Sequence, residues 1–123
     1  ETRSAHERGS GTVLALGLMV VLCAVLLAGV ALCGAVVAAH RAAAAADLAA
    51  LAGAQTLSGG SDVTQACVRA ATIAGAQAAE VMGCQVRGEE VEVKVSVRVP
   101  WAQALIRQPA VARARAGPAP VVR

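Results

Sequence analysis

The sequence has almost no aromatic residues: Trp101 is the single tryptophan, and there is neither tyrosine nor phenylalanine. Single-stranded nucleic acids are usually held in a basic groove in which aromatic side chains stack on the bases. The eleven Lys and Arg residues are spread along the chain, and the net charge is only +3. The composition therefore does not favour a nucleic-acid partner.

Residue patterns that carry catalysis are also lacking. The two histidines, His6 and His40, are too far apart to form one metal cluster. We find no glycine-rich phosphate loop, no nucleophile with a nearby base and no carboxylate pair in a plausible cleft. Glu89, Glu90 and Glu92 are most simply interpreted as a solvated loop at a turn. We expect a protein that is not an enzyme, without cofactor, metal or small-molecule substrate.

Charged side chains are absent from Thr12 to Ala39. As a helix this run would extend roughly 42 Å at about 1.5 Å per residue, against about 30 Å for the hydrocarbon core of a bilayer. The run predicts a transmembrane helix, with membrane lipid as a partner. It is longer than the apolar region of a secretory signal. Small residues near Ala38 and Ala39 leave open the alternative that the N-terminus is removed.

An alanine-rich stretch follows the apolar run and predicts that the helix continues beyond the membrane, because alanine is the best helix former. We place a short tail at residues 1–11 and the helix at 12–57. The Lys/Arg asymmetry around the span is weak and does not by itself decide the orientation. Because the segment before the span is short and the cysteine pair described below suits an oxidising compartment, we expect a single-pass protein with a cytoplasmic N-terminus and an extracytoplasmic C-terminal part. Small residues recur on one helical face and would permit close helix–helix contact in the membrane; chance in an alanine-rich helix is the alternative. They are Ala24, Ala28, Ala31, Ala35 and Ala39.

Residues 61–117 have the pattern of a small α+β head, followed by a flexible tail at 118–123. Asp62 can cap a second helix that ends near Gln77, with Gln65 at the spacing of a capping box. Valines then alternate with polar residues from Val91 to Val99, which predicts a strand with one dry face. We expect Val81–Arg87 as its hairpin partner and Ala110–Ala116 as a third, edge strand. The second helix and the emergent end of the first must cover the valine face.

Cys67 and Cys84 are predicted to form a disulfide. If the second helix ends near Gln77 and the chain then reverses into a strand, the two sulfur atoms can meet. The bond would stabilise so small a domain by about 3 kcal/mol in the chain-entropy model. The alternative is two unpaired cysteines that act as small apolar residues in the core.

Several segments together resemble the TadE/TadG-like proteins of tight-adherence (Flp) pilus systems, in particular the actinobacterial TadE-like proteins found near secretion genes. The shared features are Glu7-Arg8-Gly9-Ser10 before the apolar helix, the run from Arg41 through Asp47 to Ala52, the cysteines 67 and 84, the Gly88 turn, the valine strand and the ending from Ala112 to Pro118.

The resemblance implies a membrane-anchored minor pilin or pseudopilin in a pilus or a related secretion filament, with other pilin-like subunits and the assembly machinery as partners. The C-terminal part would then lie in, or at the tip of, a surface pilus. Some such pilins are cut after a glycine by a prepilin peptidase; Gly9 or Gly11 would supply it, although Leu14 or Leu16 stands where the family has a glutamate. The alternative is a single-pass envelope protein with a small partner-binding module outside any filament.

Overall fold

The computed structural model describes residues 3–98 and 108–119, with side chains from residue 9 onward. Its elements are α1 (Arg3–Ser58), α2 (Val63–Ala76), β1 (Ala79–Arg87), β2 (Glu90–Val97) and β3 (Ala110–Ala116). The predicted α+β class, with a long apolar N-terminal helix and an antiparallel sheet, is confirmed. The predicted link through Trp101, Leu105 and Ile106 lies outside the described residues, as do Val99 and residues 120–123.

The chain divides into two compact units, Glu1–Gly34 and Ala35–Arg123. The N-terminal unit is formed by the first part of α1, whose leucines and valines are exposed over most of their surface. Between Gly9 and Ser58, α1 is long and apolar enough to cross a membrane, with a mean hydropathy of 2.9 in its most apolar stretch. That stretch is 0% buried within the chain, whereas the core helix of a soluble protein is mostly buried.

The start of α1 corrects the prediction of a short tail, because the helix begins at Arg3 rather than at residue 12. Helix nucleation is costly, whereas each residue added to an existing helix gains a hydrogen bond. The segment before Thr12 contains no proline that would stop this extension. Within the same turn the Thr12 hydroxyl donates a hydrogen bond to the Gly9 carbonyl at 3.0 Å.

The C-terminal unit contains a three-stranded antiparallel sheet in the order β1-β2-β3. β1 and β2 form a hairpin around Gly88, which has a φ of 63° that favours glycine. A bulge interrupts the pairing of β1 between Val81 and Gly83. β1 starts at Ala79, two residues before the predicted strand, and β3 has the predicted bounds.

The core lies between the valines of β2 and the alanines of the helices, as predicted. Val91, Val93 and Val95 are completely buried. The helices cover these valines with methyl side chains, and small side chains allow backbones to approach closely. The buried helical alanines are Ala38, Ala42, Ala45, Ala46, Ala49, Ala50 and Ala54 of α1 and Ala66, Ala70 and Ala74 of α2.

α2 begins at the predicted cap. The Asp62 carboxylate accepts a hydrogen bond from the Gln65 backbone N–H at 2.8 Å, which satisfies one of the free donors of the first turn. No return bond from the Gln65 side chain is present among the described residues, so only half of the expected capping box forms. The helix ends at Ala76, next to the predicted Gln77, which is its C-cap residue.

Candidate functional site

A close approach of three elements is centred on Gly53 in α1. A Cβ atom at this position would lie 3.0 Å from Val91 Cγ1 of β2 and 3.3 Å from the Ala66 carbonyl oxygen of α2. Only glycine leaves room for this contact without a shift of its neighbours. This role was not predicted from the sequence. The signal that points to it is an isolated glycine in the alanine-rich part of α1 that follows Gly34.

The disulfide between Cys67 and Cys84 is present and joins α2 to β1. The two Cα atoms are 5.9 Å apart, within the usual range for a disulfide, and 17 positions separate them in the sequence. The reversal that brings them together occurs at Ala78, whose φ of 54° lies in the left-handed region. The Ala78 N–H donates to the Gly75 carbonyl at 3.0 Å and closes this turn.

The two other cysteines, Cys23 and Cys33, are free and exposed on the N-terminal unit. They lie ten positions apart on a helix and therefore on different faces. Within residues 3–98 and 108–119, no three His, Cys, Asp or Glu side chains come together in a way that could hold a metal ion.

The small-residue strip predicted for helix–helix contact is open to the surroundings. Ala24, Ala28, Ala35 and Ala39 are exposed and Ala31 is partly exposed. Gly9 and Gly11, the two possible processing positions, are exposed and lie within α1. Contact of the strip with other helices and cleavage after either glycine stay predictions.

The face of the sheet that points away from the core carries charged side chains in register. Arg115 of β3 donates a hydrogen bond to Glu92 of β2 at 2.7 Å and lies 3.8 Å from the Glu90 carboxylate. The interpretation of all three glutamates as a solvated loop is therefore wrong for Glu90 and Glu92, which lie on a strand and are paired. Arg115 is far away in sequence, which is why a local pattern did not reveal the pair.

The bond from Arg115 lowers the pKa of Glu92 below its usual 4.5. Partial burial opposes this shift, while the charges of Arg115, Arg87 and Arg113 add to it. The same bond raises the pKa of Arg115 above its usual value. At neutral pH both groups are charged, so the pair is an ion pair on an open surface.

A shallow groove lies between the last turns of α1 and the middle of α2. Leu48 and Leu51 line it and are exposed by 45% and 51%. Gln55 and Thr56 of α1 and Arg69 and Ile73 of α2 complete its walls. The groove offers a mixed apolar and polar surface and contains no candidate nucleophile or acid–base pair.

Comparison with known protein families identifies a relative of the first helix. Residues 9–56 match the family model described as "Tad: Putative Flp pilus-assembly TadE/G-like". No curated protein and no solved structure matches the chain. The matched segment lies within α1 and includes both its exposed apolar part and its buried alanines. Residues 9–56 thus carry the sequence pattern of the TadE/G-like Flp pilus-assembly family, and the predicted resemblance is confirmed over that segment.

Proposed function

We propose that this protein is a membrane-anchored minor pilin- or pseudopilin-like structural component of a tight-adherence (Flp-type) pilus or a related secretion filament. The observation that carries the proposal is the match of residues 9–56 to a pilus-assembly family. Involvement in a pilus system is the broader part of the proposal, and the role of a minor subunit is the narrower part.

The exposed surface of α1 supports the membrane anchor. Large apolar residues from Val13 to Val37 are half exposed or more on all sides of the helix. In water each such leucine or valine would forgo about 1.5–3 kcal/mol of burial free energy. Lipid, or the apolar helices of other subunits, would cover these side chains and remove them from water. The exposed alanines of the small-residue strip let such helices approach closely.

The C-terminal unit supports a location outside the cytoplasm. Its disulfide joins α2 to the edge strand β1, and structural disulfides persist mainly in oxidising compartments. We propose that the unit is the extracytoplasmic head and that its partners are other pilin-like subunits and the assembly machinery.

A fractionation experiment tests the filament role. The chain carries a C-terminal epitope tag in pilus-producing cells, and filaments are sheared from the surface. We expect the tag in the sheared fraction and fewer pili when the gene is deleted. A tag found only in the membrane fraction, with normal pili, would support the single-pass envelope protein with a partner-binding head instead.

The thiols of Cys23 and Cys33 can be used in the same cells to detect contact between α1 and the helices of neighbouring subunits. Oxidation of membranes or filaments should cross-link Cys23 or Cys33 to a neighbouring helix that carries a thiol, because both cysteines are exposed. The double variant C23S/C33S is the matched control and should give no such product. A cross-link that persists in this variant would come from the other cysteines and would not support helix contact.

Orientation and processing need two further measurements. A Glu89→Cys variant places a thiol in the exposed turn between β1 and β2. A maleimide that cannot cross membranes should label it in whole cells if the head is outside. Intact mass of the extracted protein then shows whether the chain is cut after Gly9 or Gly11; a mass that retains both would exclude processing at these positions.

A further inference from the structure

The open face of the sheet contains two neighbouring rows of side chains with different charge balance. In the first, here called the neutral row, Gln85, Glu92 and Arg115 are register partners on β1, β2 and β3. In the second, here called the basic row, the partners are Gly83, Lys94 and Arg113. The basic row therefore places two cations opposite each other and has no carboxylate.

Like charges at directly opposite positions destabilise a sheet. Two carboxylates lie in the rows on either side of the basic row. Glu92 is held by Arg115 at 2.7 Å and reaches Arg113 only through its longer-range field. Glu80 of β1, the register partner of Ser96, is exposed on the open face and forms no ion pair among the described residues. Among the side chains that the structure describes on this face, Arg115 forms the ion pairs, and neither Lys94 nor Arg113 takes part in one. The two cations of the basic row are therefore free to contact carboxylates from outside the sheet, with Glu80 as the one unpaired carboxylate in the part of the adjoining rows that the structure describes.

Exposed apolar side chains flank the basic row. Val81 and Cys84 both lie on the core side of β1, so the bulge between them turns Met82 and Gly83 toward the open face. Met82 is 61% exposed, and Val111 on the far strand is 51% exposed. A Cβ atom at Gly83 would meet nothing within 4 Å, so the surface beside Lys94 is open.

Methionine and arginine are enriched in protein interfaces, whereas lysine is depleted. The patch proposed here as a binding surface combines apolar and charged side chains. It consists of the exposed Met82 and Val111, the unpaired Arg113 and the partly buried Lys94. The buried Ser96 and its exposed register partner Glu80 mark one end of this patch, and the neutral row marks the other.

We propose that this patch binds an acidic segment of another protein, whose carboxylates lie over Lys94 and Arg113 and whose apolar side chains contact Met82 and Val111. The charge of the basic row and its apolar border carry the inference. It does not depend on a role in a pilus, since it concerns the sheet alone.

The size of the face argues for a segment rather than a second copy. Three strands of about 4.8 Å width and seven residues of about 3.3 Å give a face of roughly 330 Å². A stable complex of two folded proteins buries about 800 Å² on each partner. An extended peptide segment fits this smaller area.

A binding experiment with the full chain in nanodiscs of zwitterionic lipid tests the proposal. The probe is a fluorescein-labelled ten-residue peptide in which glutamate alternates with valine, followed by fluorescence anisotropy. We expect binding that weakens about tenfold or more in K94Q/R113Q, because two charge-assisted contacts are lost. The control R41Q/R69Q removes the same charge from exposed positions elsewhere and should stay within about twofold. Equal weakening in both variants would overturn the proposal, since net charge alone would then explain it.

Two further measurements separate other occupants. In the first, the same variants are tested for binding to phosphatidylglycerol vesicles and to inorganic phosphate. If either of these binds in a way that depends on Lys94 and Arg113 and the peptide does not bind, the proposal is overturned in favour of an anionic headgroup or a free phosphate. Self-association that is lost in K94Q/R113Q would overturn it in favour of a second copy.

Thermal unfolding completes the test. K94Q and R113Q should each keep or raise the midpoint, because each relieves repulsion within the sheet. A lower midpoint in both would show that the two side chains stabilise the sheet itself and would overturn the proposal.

Discussion

The two parts of α1 differ in how far their hydrophobic residues are exposed. In the N-terminal unit large side chains are exposed, such as Leu14 with 73% of its surface accessible, whereas in the C-terminal unit Ala45 and Ala46 are 0% exposed. The same helix therefore exposes its large hydrophobic residues in one part and buries a row of alanines in the other. Whether a residue of α1 is exposed or buried therefore depends on what surrounds it and not on its hydrophobicity.

The difference indicates two kinds of stabilisation. The alanine face gains little from each methyl group, but it allows the backbone of α1 to lie close to the valines of β2 and to α2, so many atoms come into contact. The leucine-rich part needs surroundings that are themselves apolar. This contrast supports an anchor in the N-terminal unit and a folded domain in the C-terminal unit. Five sets of variants test it.

The cysteines give the largest expected effect. C67A/C84A removes the bond between α2 and β1 and should lower the free energy of unfolding of the C-terminal unit by about 3 kcal/mol, the value for a loop of this length. C23A/C33A removes two exposed thiols and should leave that unfolding unchanged. Denaturation followed by circular dichroism in detergent compares the pairs. A similar loss of unfolding free energy in both double variants would contradict the division into a disulfide-stabilised domain and an anchor.

A charge in the apolar part of α1 tests the anchor. Leu22→Arg should disfavour membrane insertion by about 2.5–3.5 kcal/mol if the position lies near the bilayer centre. Ala43→Arg places the same residue at an exposed position of the C-terminal unit and should insert normally. The fraction that resists carbonate extraction measures the difference. Equal insertion of both variants would show that Leu22 does not face lipid.

Overfilling of the alanine face comes next. Ala46→Leu forces a larger side chain against the sheet and should cost about 1–3 kcal/mol of stability. Ala44→Leu, two positions earlier and exposed, should change stability by no more than about 0.5 kcal/mol. Urea unfolding of both variants provides the measurement. If the two leucines have the same effect, the buried face of α1 is not where the structure places it.

Elements with a local signal were predictable from the sequence, while contacts between distant residues were not. The valine alternation identified β2, and Asp62 identified the start of α2, because each pattern lies within a few neighbouring residues. The alternation from Ala110 to Ala116 likewise predicted β3 but not its register. Register decides that Arg115 meets Glu92, and no local pattern specifies a partner 23 positions away.

The bulge and the approach at Gly53 depend on tertiary packing in the same way. The helical start at Arg3 has another cause, since extension of a long helix outweighs the polar character of its first residues. The predicted disulfide succeeded because it followed from the lengths of two elements on either side of one reversal.

Substitutions at two glycines test the close packing within the C-terminal unit. Gly53→Ala gains up to about 1 kcal/mol of helix propensity but places a methyl group 3.0 Å from Val91 Cγ1 and 3.3 Å from a carbonyl oxygen. Because the carbonyl belongs to the backbone and moves little, we expect a net loss of about 1 kcal/mol. Gly75→Ala meets nothing within 4 Å and should stabilise the protein by about 0.5–1 kcal/mol. The same sign for both in thermal unfolding would contradict the close contact at Gly53.

The smallest expected effect is the pH dependence of the Glu92–Arg115 pair. The hydrogen bond from Arg115 lowers the pKa of Glu92 in the folded protein below its usual 4.5. Folding is therefore favoured by this pair above pH 4.5, and the contribution is lost as the pH falls through the lowered pKa. Glu92→Gln should flatten the stability profile slightly in that acid range, whereas Glu89→Gln, in the exposed turn, should leave it unchanged. The pair is solvent-exposed, so high salt should reduce the difference between the two variants. A profile for Glu92→Gln that still falls as steeply below pH 4.5 as that of the unaltered protein would show that this pair does not contribute to the acid limb.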